Sequence, residues 1–282
     1  MRVIRTVGEL RVWSREARKA GLEVGLVPTM GALHEGHISL VRAAKASCGV
    51  VAASIFVNPT QFGPNEDFAK YPRTFEADCA LLEAEGVDVV FAPAAEEMYP
   101  AGASTFVEVE GLSDRLDGKS RPGHFRGVAT VVAKLFIAAE PDRAYFGQKD
   151  AAQVAVLRRM VADLLLPVEL VVCPIVREPD GLAMSSRNRY LSTEERRQAL
   201  VLSRALDAVE AVAAVAAVGE RSAEVLIAVA RANIADEPAV RVDYIAAVDW
   251  ATLEPVPEAG PGTLFAVAAW VGRTRLIDNF VL

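Results

Sequence analysis

The sequence predicts an α/β protein, with a Rossmann-like doubly wound parallel sheet followed by a smaller C-terminal α+β domain. Short apolar runs alternate with helical patterns along the first 175 residues, and three strand-like runs close the chain. The βαβα order favours a parallel sheet that is covered by helices on both faces. The predicted domains are therefore residues 1–175 and residues 176–282.

The predicted strands of the first domain are rich in Val, Ile, Leu and Phe and are bounded by Gly, Pro or charged residues. They are residues 24–28, 50–57, 87–92, 143–146 and 168–173. Helices are predicted between them at residues 38–47, 75–85, 127–139 and 151–164. In such sheets small molecules bind beyond the carboxyl ends of the strands, where the strand order reverses.

The C-terminal region begins with a helix-start signal, in which Ser192 is the predicted N-cap and Glu195 completes a capping box. A long Ala/Val/Leu helix to about residue 218 and a second helix at 222–235 are predicted to follow. The predicted strands of this region are residues 240–249, 264–270 and 274–281, with a Pro/Gly-rich loop at 254–262.

Composition and charge argue against several classes of protein. The net charge of −7 and the lack of a basic run argue against nucleic-acid binding as the main task. The N-terminal residues predict no signal peptide, and the most apolar stretch, 205–218, is too short and too charged to span a bilayer. The three cysteines, Cys48, Cys79 and Cys173, are scattered and odd in number, which is typical of reduced thiols. The expected location is the cytoplasm.

The first candidate site is the segment PTMGALHEGH at 28–37, directly after a predicted strand. Gly31 and Gly36 allow a tight turn close to a ligand, and the next helix offers unpaired N–H groups to an anion. His34 and His37 are three residues apart, so they face the same way on a helical turn. Two imidazoles beside a phosphate can donate hydrogen bonds to charge that builds on it. A structural role is the alternative; zinc would need further ligands at a suitable spacing, which are absent from the sequence.

The second motif is FGQKD at 146–150, which repeats the strand–turn–helix pattern of the first. Lys149 is a candidate cation for phosphates. Asp150 is a candidate magnesium ligand or a plain helix cap.

The third motif is DGLAMSSRN at 180–188. Two hydroxyls and a guanidinium on a glycine-containing loop can clamp a triphosphate, although a surface turn explains the same residues.

Two further segments contain candidate ligand-binding side chains. In FVNPTQF at 56–62, the neutral amides of Asn58 and Gln61 can bind the hydroxyls and carboxylate of a substrate. The segment RPGHFRG at 121–127 leads into a predicted helix, with His124 and Arg126 either facing a ligand or belonging to a plain turn.

Together these segments resemble the pantothenate synthetase family, within the HxGH nucleotidylyl-transferase superfamily. The HxGH pattern marks only the superfamily, whereas the full set in this order is specific to the family. Beyond residue 235 the match is looser, and no single residue there is assigned. The matching segments are VPTMGALHEGH (27–37), VNPTQFGPNEDFAKYPRT (57–74), RPGHFRGVATVVAKLF (121–136), FGQKDAAQ (146–153) and IVREPDGLAMSSRN (175–188).

The resemblance implies an ATP- and magnesium-dependent ligase that acts in two steps. The carboxylate of pantoate attacks the α-phosphate, which releases pyrophosphate and leaves an enzyme-bound pantoyl adenylate. The amine of β-alanine then attacks the activated acyl group to give pantothenate and AMP. The resemblance also implies a homodimer, with residues 176–282 as a lid, a dimer contact or both.

The resemblance further implies roles for the matching positions. Gln61 and Gln153, joined by Asn58, are the implied substrate-binding residues, and His37 is the implied acid that stabilises the phosphoryl transition state. The implied catalytic residues are His34, His37, Lys149 and Arg187. The implied ATP-binding residues are Met30, Gly31, Ala32, Leu33, His34, Glu35, Gly36, His37, Gly147, Gln148, Lys149, Asp150, Val176, Met184, Ser185, Ser186 and Arg187. The magnesium ligand stays open between Asp78 and Asp150.

Three other functions are alternatives to the ligase. An adenylyl-transferase would leave AMP on its product and release pyrophosphate alone. A regulatory protein that only binds nucleotide would need fewer cations than His34, His37, Lys149 and Arg187 provide together. A tRNA-binding synthetase fragment is disfavoured by the acidic balance of the chain.

Overall fold

The computed structural model describes residues 1–64, 66–215 and 221–282, and these contain a six-stranded parallel sheet and a three-stranded antiparallel sheet. The strands of the first are β1 (Arg2–Ile4), β2 (Val24–Thr29), β3 (Val50–Ile55), β4 (Val89–Phe91), β5 (Arg143–Gly147) and β6 (Glu169–Cys173). The strands of the second are β7 (Val240–Asp249), β8 (Thr263–Val271) and β9 (Thr274–Val281). This architecture confirms the predicted fold class.

Ten α-helices connect the strands within the described part of the chain. They are α1 (Val7–Lys19), α2 (Glu35–Ser47), α3 (Phe75–Ala84), α4 (Ala95–Met98), α5 (Asp117–Ser120), α6 (His124–Ala139), α7 (Ala151–Asp163), α8 (Thr193–Ala199), α9 (Val201–Val215) and α10 (Ala223–Ile234). Short 3₁₀ turns include Pro59–Gln61, Gln148–Asp150 and Ser186–Tyr190. None of the described helices is long and apolar enough to cross a membrane.

The parallel sheet reverses its strand order between β2 and β5. Its order is β1-β4-β3-β2-β5-β6, so the chain moves outward from β2 in one direction and from β5 in the other. β2 and β5 pair directly, with Leu26 opposite Ala144. The loops that follow these two strands hold the motifs at 28–37 and 146–150, which therefore flank the crevice where ligands bind in such sheets.

Helices cover both faces of the parallel sheet, and alternate residues of its strands point into different cores. Leu26 and Ala52 pack with α1, α6 and α7, whereas Val27, Val51 and Ala53 pack with α2 and α3. This is the two-residue periodicity of a β-strand that is buried on both faces.

The antiparallel sheet also packs on two sides. Leu264 and Ala266 of β8 join the core of the parallel sheet, whereas Phe265 and Val267 pack against α9 and α10. β8 is thus shared between two cores. The division of the chain at residue 175 stays a prediction, because this packing unites the two regions.

The structure differs from the prediction in several elements. β1 and α1 were not predicted, because a three-residue edge strand shows no periodicity, although Thr6 caps α1 in a Thr-x-x-Glu pattern with Glu9 that the sequence displays. The prediction of one long helix after Ser192 is wrong, because the chain forms two helices, α8 and α9, that are separated at Leu200. Its predicted end at residue 218 lies outside the described residues.

Candidate functional site

Two imidazoles lie side by side at the N-terminus of α2. His34 is the N-cap of the helix, and its Nδ1 accepts a hydrogen bond from the Gly36 N–H at 3.2 Å. The Nδ1 of His37 accepts from the His34 N–H at 3.3 Å, and the two ring centroids are 4.1 Å apart. Because each Nδ1 is an acceptor, each neutral ring carries its proton on Nε2. Both rings therefore keep one N–H donor for a ligand.

Burial keeps both imidazoles uncharged. It lowers the pKa of His34 to about 4, with a further contribution from the charge of Lys149. It lowers the pKa of His37 to about 3, with smaller contributions from His34 and Lys149. At neutral pH, His37 is thus a neutral hydrogen-bond donor, and its implied role in stabilising the phosphoryl transition state stays a prediction.

The loop before α2 is held by a buried carboxylate. Asp78, which is 2% exposed, accepts hydrogen bonds from the N–H groups of Ala32 at 2.9 Å and Leu33 at 2.8 Å. The hydroxyl of Thr74 donates to the same carboxylate at 3.1 Å. Since its oxygens are already hydrogen-bonded inside the protein, Asp78 is better explained as a support for this loop than as a magnesium ligand.

A cavity of about 180 Å³ opens at the crevice between the two motifs. Its apolar wall is formed by Phe56, Val128, Val131, Val132, Leu135 and Phe146. Its other lining residues include Met30, His37, Asn58, Gln61, Tyr71, Arg121, His124, Asp150, Gln153 and Arg187. The fold thus brings the predicted substrate-binding amides, His37 and Arg187 around one space.

A smaller adjoining cavity, of about 70 Å³, completes the site. Lys149 and Ser185 line it, and it shares Asp150, Gln153 and Arg187 with the larger one. Several predicted ATP-binding residues line neither of these two cavities: Gly31, Ala32, Leu33, His34, Glu35, Gly36, Gly147, Gln148, Val176, Met184 and Ser186. Among these, Glu35 forms an ion pair with Arg42, and the carbonyl of Val176 accepts from the Met184 N–H.

The amide of Gln61 is oriented by its neighbours. Asn58 donates to Gln61 Oε1 at 3.1 Å and to the carbonyl of Gly127 at 3.1 Å. The oxygen of the Asn58 amide accepts from Thr60 and from the Tyr99 hydroxyl. Asn58 is 1% exposed, so its amide is used within the protein and it acts here as a support for Gln61.

A charged cluster fastens the segment after Gln61 to the start of α6. Arg121 makes a two-pronged ion pair with Glu66, at 2.7 and 2.6 Å, and its other terminal nitrogen lies 2.9 Å from His124 Nε2. His124 Nδ1 lies 2.8 Å from the Gln61 carbonyl, to which it donates when the ring is neutral. Burial, together with the charge of Arg121, lowers the pKa of His124 to about 4. Arg126, the other residue predicted in this segment, instead stacks on Phe106 with its guanidinium carbon 3.8 Å from the ring centroid.

The guanidinium of Arg187 is held by a carboxylate. Its Nε and one terminal nitrogen lie 3.1 and 2.9 Å from the two oxygens of Asp67. This is the two-pronged geometry with which arginine also binds phosphate. Asp67 therefore competes with any anion for Arg187.

The turn at 148–150 presents Lys149 toward the smaller cavity. Its ammonium lies 3.9 Å from the carboxylate of Asp150. Asp150 stands at the N-cap of α7 but makes no side-chain cap hydrogen bond, so the capping alternative is wrong. Its carboxylate is half-exposed and remains available to a ligand.

Comparisons with known proteins identify the family. The model of the family "Pantoate-beta-alanine ligase" matches residues 2–281. The chain belongs to the pantoate–β-alanine ligase family. Over its whole length it is 66% identical to a pantothenate synthetase of Acidobacterium capsulatum, of which the alignment covers 97%.

Solved structures of this family share the fold of the chain. A pantothenate synthetase from Thermus thermophilus superposes with a TM-score of 0.92 and 50% identity, covering 100% of this chain and 99% of that one. A pantoate-beta-alanine ligase from Francisella tularensis, complexed with beta-gamma ATP and beta-alanine, gives a TM-score of 0.79 at 33% identity, covering 100% and 97%.

The chain also contains supporting residues that sequence reasoning missed. Glu178 accepts from Asn188 at 2.6 Å and from Arg196 at 2.7 Å, which anchors the loop that carries Arg187. Asn279 of β9 donates to the turn that carries Lys149. In the sequence these residues show only as polar side chains, and nothing there reveals which loop each one supports.

Proposed function

We propose that this enzyme condenses pantoate with β-alanine at the expense of ATP, by way of an enzyme-bound pantoyl adenylate. The observation that carries the proposal is the pair of neutral imidazoles at the start of α2, of which His37 lines the larger cavity together with the amides of Gln61 and Gln153. Arg187 lines this cavity as well, and Lys149 lines the smaller cavity that adjoins it. Family membership supports the same reaction.

The larger cavity suits pantoate. Its apolar wall, formed by residues such as Val128, Val131 and Val132, matches the two methyl groups of this acid. The amides of Gln61 and Gln153 can exchange hydrogen bonds with its hydroxyls and carboxylate. We assign Gln61 and Gln153 to pantoate, with Asn58 holding Gln61 in place.

In the first step, a carboxylate oxygen of pantoate attacks the α-phosphorus of ATP, and the bond to the bridging oxygen of pyrophosphate breaks. Charge spreads over the phosphate oxygens, so positioned donors and cations lower the barrier. We assign the Nε2–H groups of His34 and His37 and the cations of Lys149 and Arg187 to this charge. Arg187 would exchange Asp67 for phosphate oxygens as ATP binds.

In the second step, the amine of β-alanine attacks the acyl carbon of the adenylate, loses a proton and expels AMP. Activation is required because a free carboxylate is a poor acyl donor to an amine. The adenylate would hydrolyse in open water, so a closed site is expected. We propose residues 181–188 as part of this closure.

Magnesium is proposed to arrive with ATP as the MgATP complex. Among the described residues, no group of three or more His, Cys, Asp or Glu side chains is placed to hold a metal ion. Mg²⁺ is commonly bound by substrate phosphates with one or two carboxylates. The half-exposed Asp150 at the edge of both cavities is the carboxylate that we assign to it.

We further propose that the enzyme works in the cytoplasm as a homodimer, in line with its family resemblance. Residues 176–282 would serve as the smaller domain beside the Rossmann-like domain. Light scattering of the purified protein tests the dimer: a mass of twice 30.2 kDa is expected, and the mass of one chain would contradict it.

The activity is tested by mixing the protein with ATP, magnesium and pantoate, with and without β-alanine. Sustained formation of AMP and pantothenate only with both substrates is expected. Pyrophosphate without AMP would instead indicate an adenylyl-transferase. A complete lack of turnover would mean that the site binds nucleotide for another purpose.

A further inference from the structure

A buried asparagine of the C-terminal sheet contacts the turn that presents Lys149. Asn279 lies in β9 and is 3% exposed. Its side-chain nitrogen donates to the carbonyl of Gln148 at 3.0 Å and to the carbonyl of Lys149 at 2.9 Å. Its side-chain oxygen lies 3.3 Å from Gln148 Nε2. Both ends of this amide are therefore directed at one turn.

The turn needs support from outside, because its own residues provide little. The side chain of Asp150 makes no hydrogen bond that caps α7. The ammonium of Lys149 has a carboxylate only at 3.9 Å, which is a loose contact and leaves its position to the backbone. Two hydrogen bonds from a buried amide to consecutive carbonyls fix that backbone.

The strand that carries Asn279 is itself firmly placed. Asn279 pairs with Ala266 of β8, a residue of the core that β8 shares with the parallel sheet. The preceding residue, Asp278, is buried and makes a two-pronged ion pair with Arg177, at 2.6 and 3.1 Å. Consecutive residues of β9 thus contact the two segments that carry Lys149 and Arg187.

We propose that Asn279 is a positioning residue for adenylate formation, which sets Lys149 against the phosphates of ATP. This inference rests on the proposed function. Loss of the amide would let the turn shift, and a displacement of about 1 Å can cost on the order of 10²-fold in rate. Asn279→Ala is therefore expected to slow adenylation by roughly 10-fold to 10²-fold.

The experiment is a double-mutant cycle on single-turnover pyrophosphate release from ATP and pantoate. The four proteins are wild type, Asn279→Ala, Lys149→Ala and the double variant. If Asn279 acts through Lys149, Asn279→Ala strongly lowers the rate of pyrophosphate release in the wild-type background. In the Lys149→Ala background it lowers that rate by less than about 2-fold, because the effects of residues that act as a unit are not additive. Thr263→Val is the matched control, since Thr263 is also buried in this sheet and accepts one hydrogen bond, from Gly260.

Equal slowing in both backgrounds, or the same slowing in Thr263→Val, would overturn the proposal in favour of a general structural role. An unchanged rate in Asn279→Ala would overturn it as well. If that variant does not fold, the cycle is run with Asn279→Ser, whose hydroxyl is too short to reach both carbonyls. Wild-type protein that releases no pyrophosphate would overturn the proposed function, a result distinct from any difference between variants.

Discussion

The neutral state of His34 and His37 bears directly on the chemistry that we propose for the site. Each ring uses Nδ1 to accept a backbone N–H, and burial keeps each ring neutral. A neutral imidazole offers Nε2–H to an oxyanion without carrying charge of its own. In the proposed reaction, the positive charge near the phosphates would then come from Lys149 and Arg187.

Replacing His37 should slow adenylation far more than it weakens pantoate binding. His37→Ala removes one preorganised donor to the transition state, and such a loss typically costs about 10²-fold or more in rate. Single-turnover pyrophosphate release measures the effect. An unchanged rate would remove His37 from the mechanism.

Ser39→Ala provides the control for that variant. Ser39 lies in the same helical turn and donates to the Gly36 carbonyl at 2.8 Å, outside both cavities. It should retain the wild-type rate, since the hydrogen bond that it loses lies away from the reacting groups. A comparable loss in Ser39→Ala would indicate that the start of α2 is simply sensitive to change.

At the scale of elements, α6 and the turn at Pro59–Gln61 approach each other at Gly127. A Cβ at this position would lie 2.3 Å from the Thr60 carbonyl oxygen, which is far inside the normal contact distance. The same contact lets Asn58 reach the Gly127 carbonyl. The absence of a side chain at Gly127 thus places Gln61 at the cavity.

Gly127→Ala should therefore lower both stability and pantoate binding. Forcing a methyl group into a packed contact typically costs about 1–3 kcal/mol, and here backbone must move. Urea denaturation and the KM for pantoate are the measurements. Gly8→Ala is the control, because Gly8 of α1 has open space around it, and it should be neutral or slightly stabilising. Equal stability of the two variants would contradict the close contact.

The ion pair of Asp67 with Arg187 joins two loops over the site. Asp67→Asn should lower the KM for ATP by about 2- to 5-fold, since a partly exposed ion pair of up to ~1 kcal/mol no longer competes with the phosphates. Asp163→Asn, which breaks the exposed pair with Arg159, should leave the KM unchanged. A raised KM in Asp67→Asn would mean that the pair instead holds the loops in the binding geometry.

At the scale of the whole molecule, the fold was predictable because its signals are local and repeated. Buried strands followed by helices specify a parallel sheet, and the motifs at 28–37 and 146–150 come directly after β2 and β5. The supports of these motifs were not predictable, because Asp78 and Asn279 act from 45 or more residues away. Their contacts depend on tertiary packing, for which one sequence holds no periodic signal. The break at Leu200 was missed for a similar reason, since no Gly or Pro marks it.

Of the three histidines of the chain, His37 and His124 line the larger cavity and His34 lies beside His37, and together they should make stability depend on pH. Burial lowers the pKa of His37 to about 3 and those of His34 and His124 to about 4, from an ordinary value of 6.5. As pH falls below 6.5, the three imidazoles therefore bind protons in the unfolded chain but stay neutral in the folded chain. The free energy of unfolding must then decrease. Each such histidine contributes at most about 1.4 kcal/mol per pH unit.

The free energy of unfolding in urea should accordingly decrease between about pH 6.5 and pH 4.5, a window above the ordinary range of Asp and Glu. His124→Gln should show a shallower decrease, because it removes one of the three groups while keeping a polar side chain. The two proteins are compared by the slope of the free energy of unfolding against pH within this window, and not by their absolute stabilities. A flat profile for the wild type would mean that the imidazoles are protonated in the folded state, and the assignment of His34 and His37 as neutral donors would fail with it.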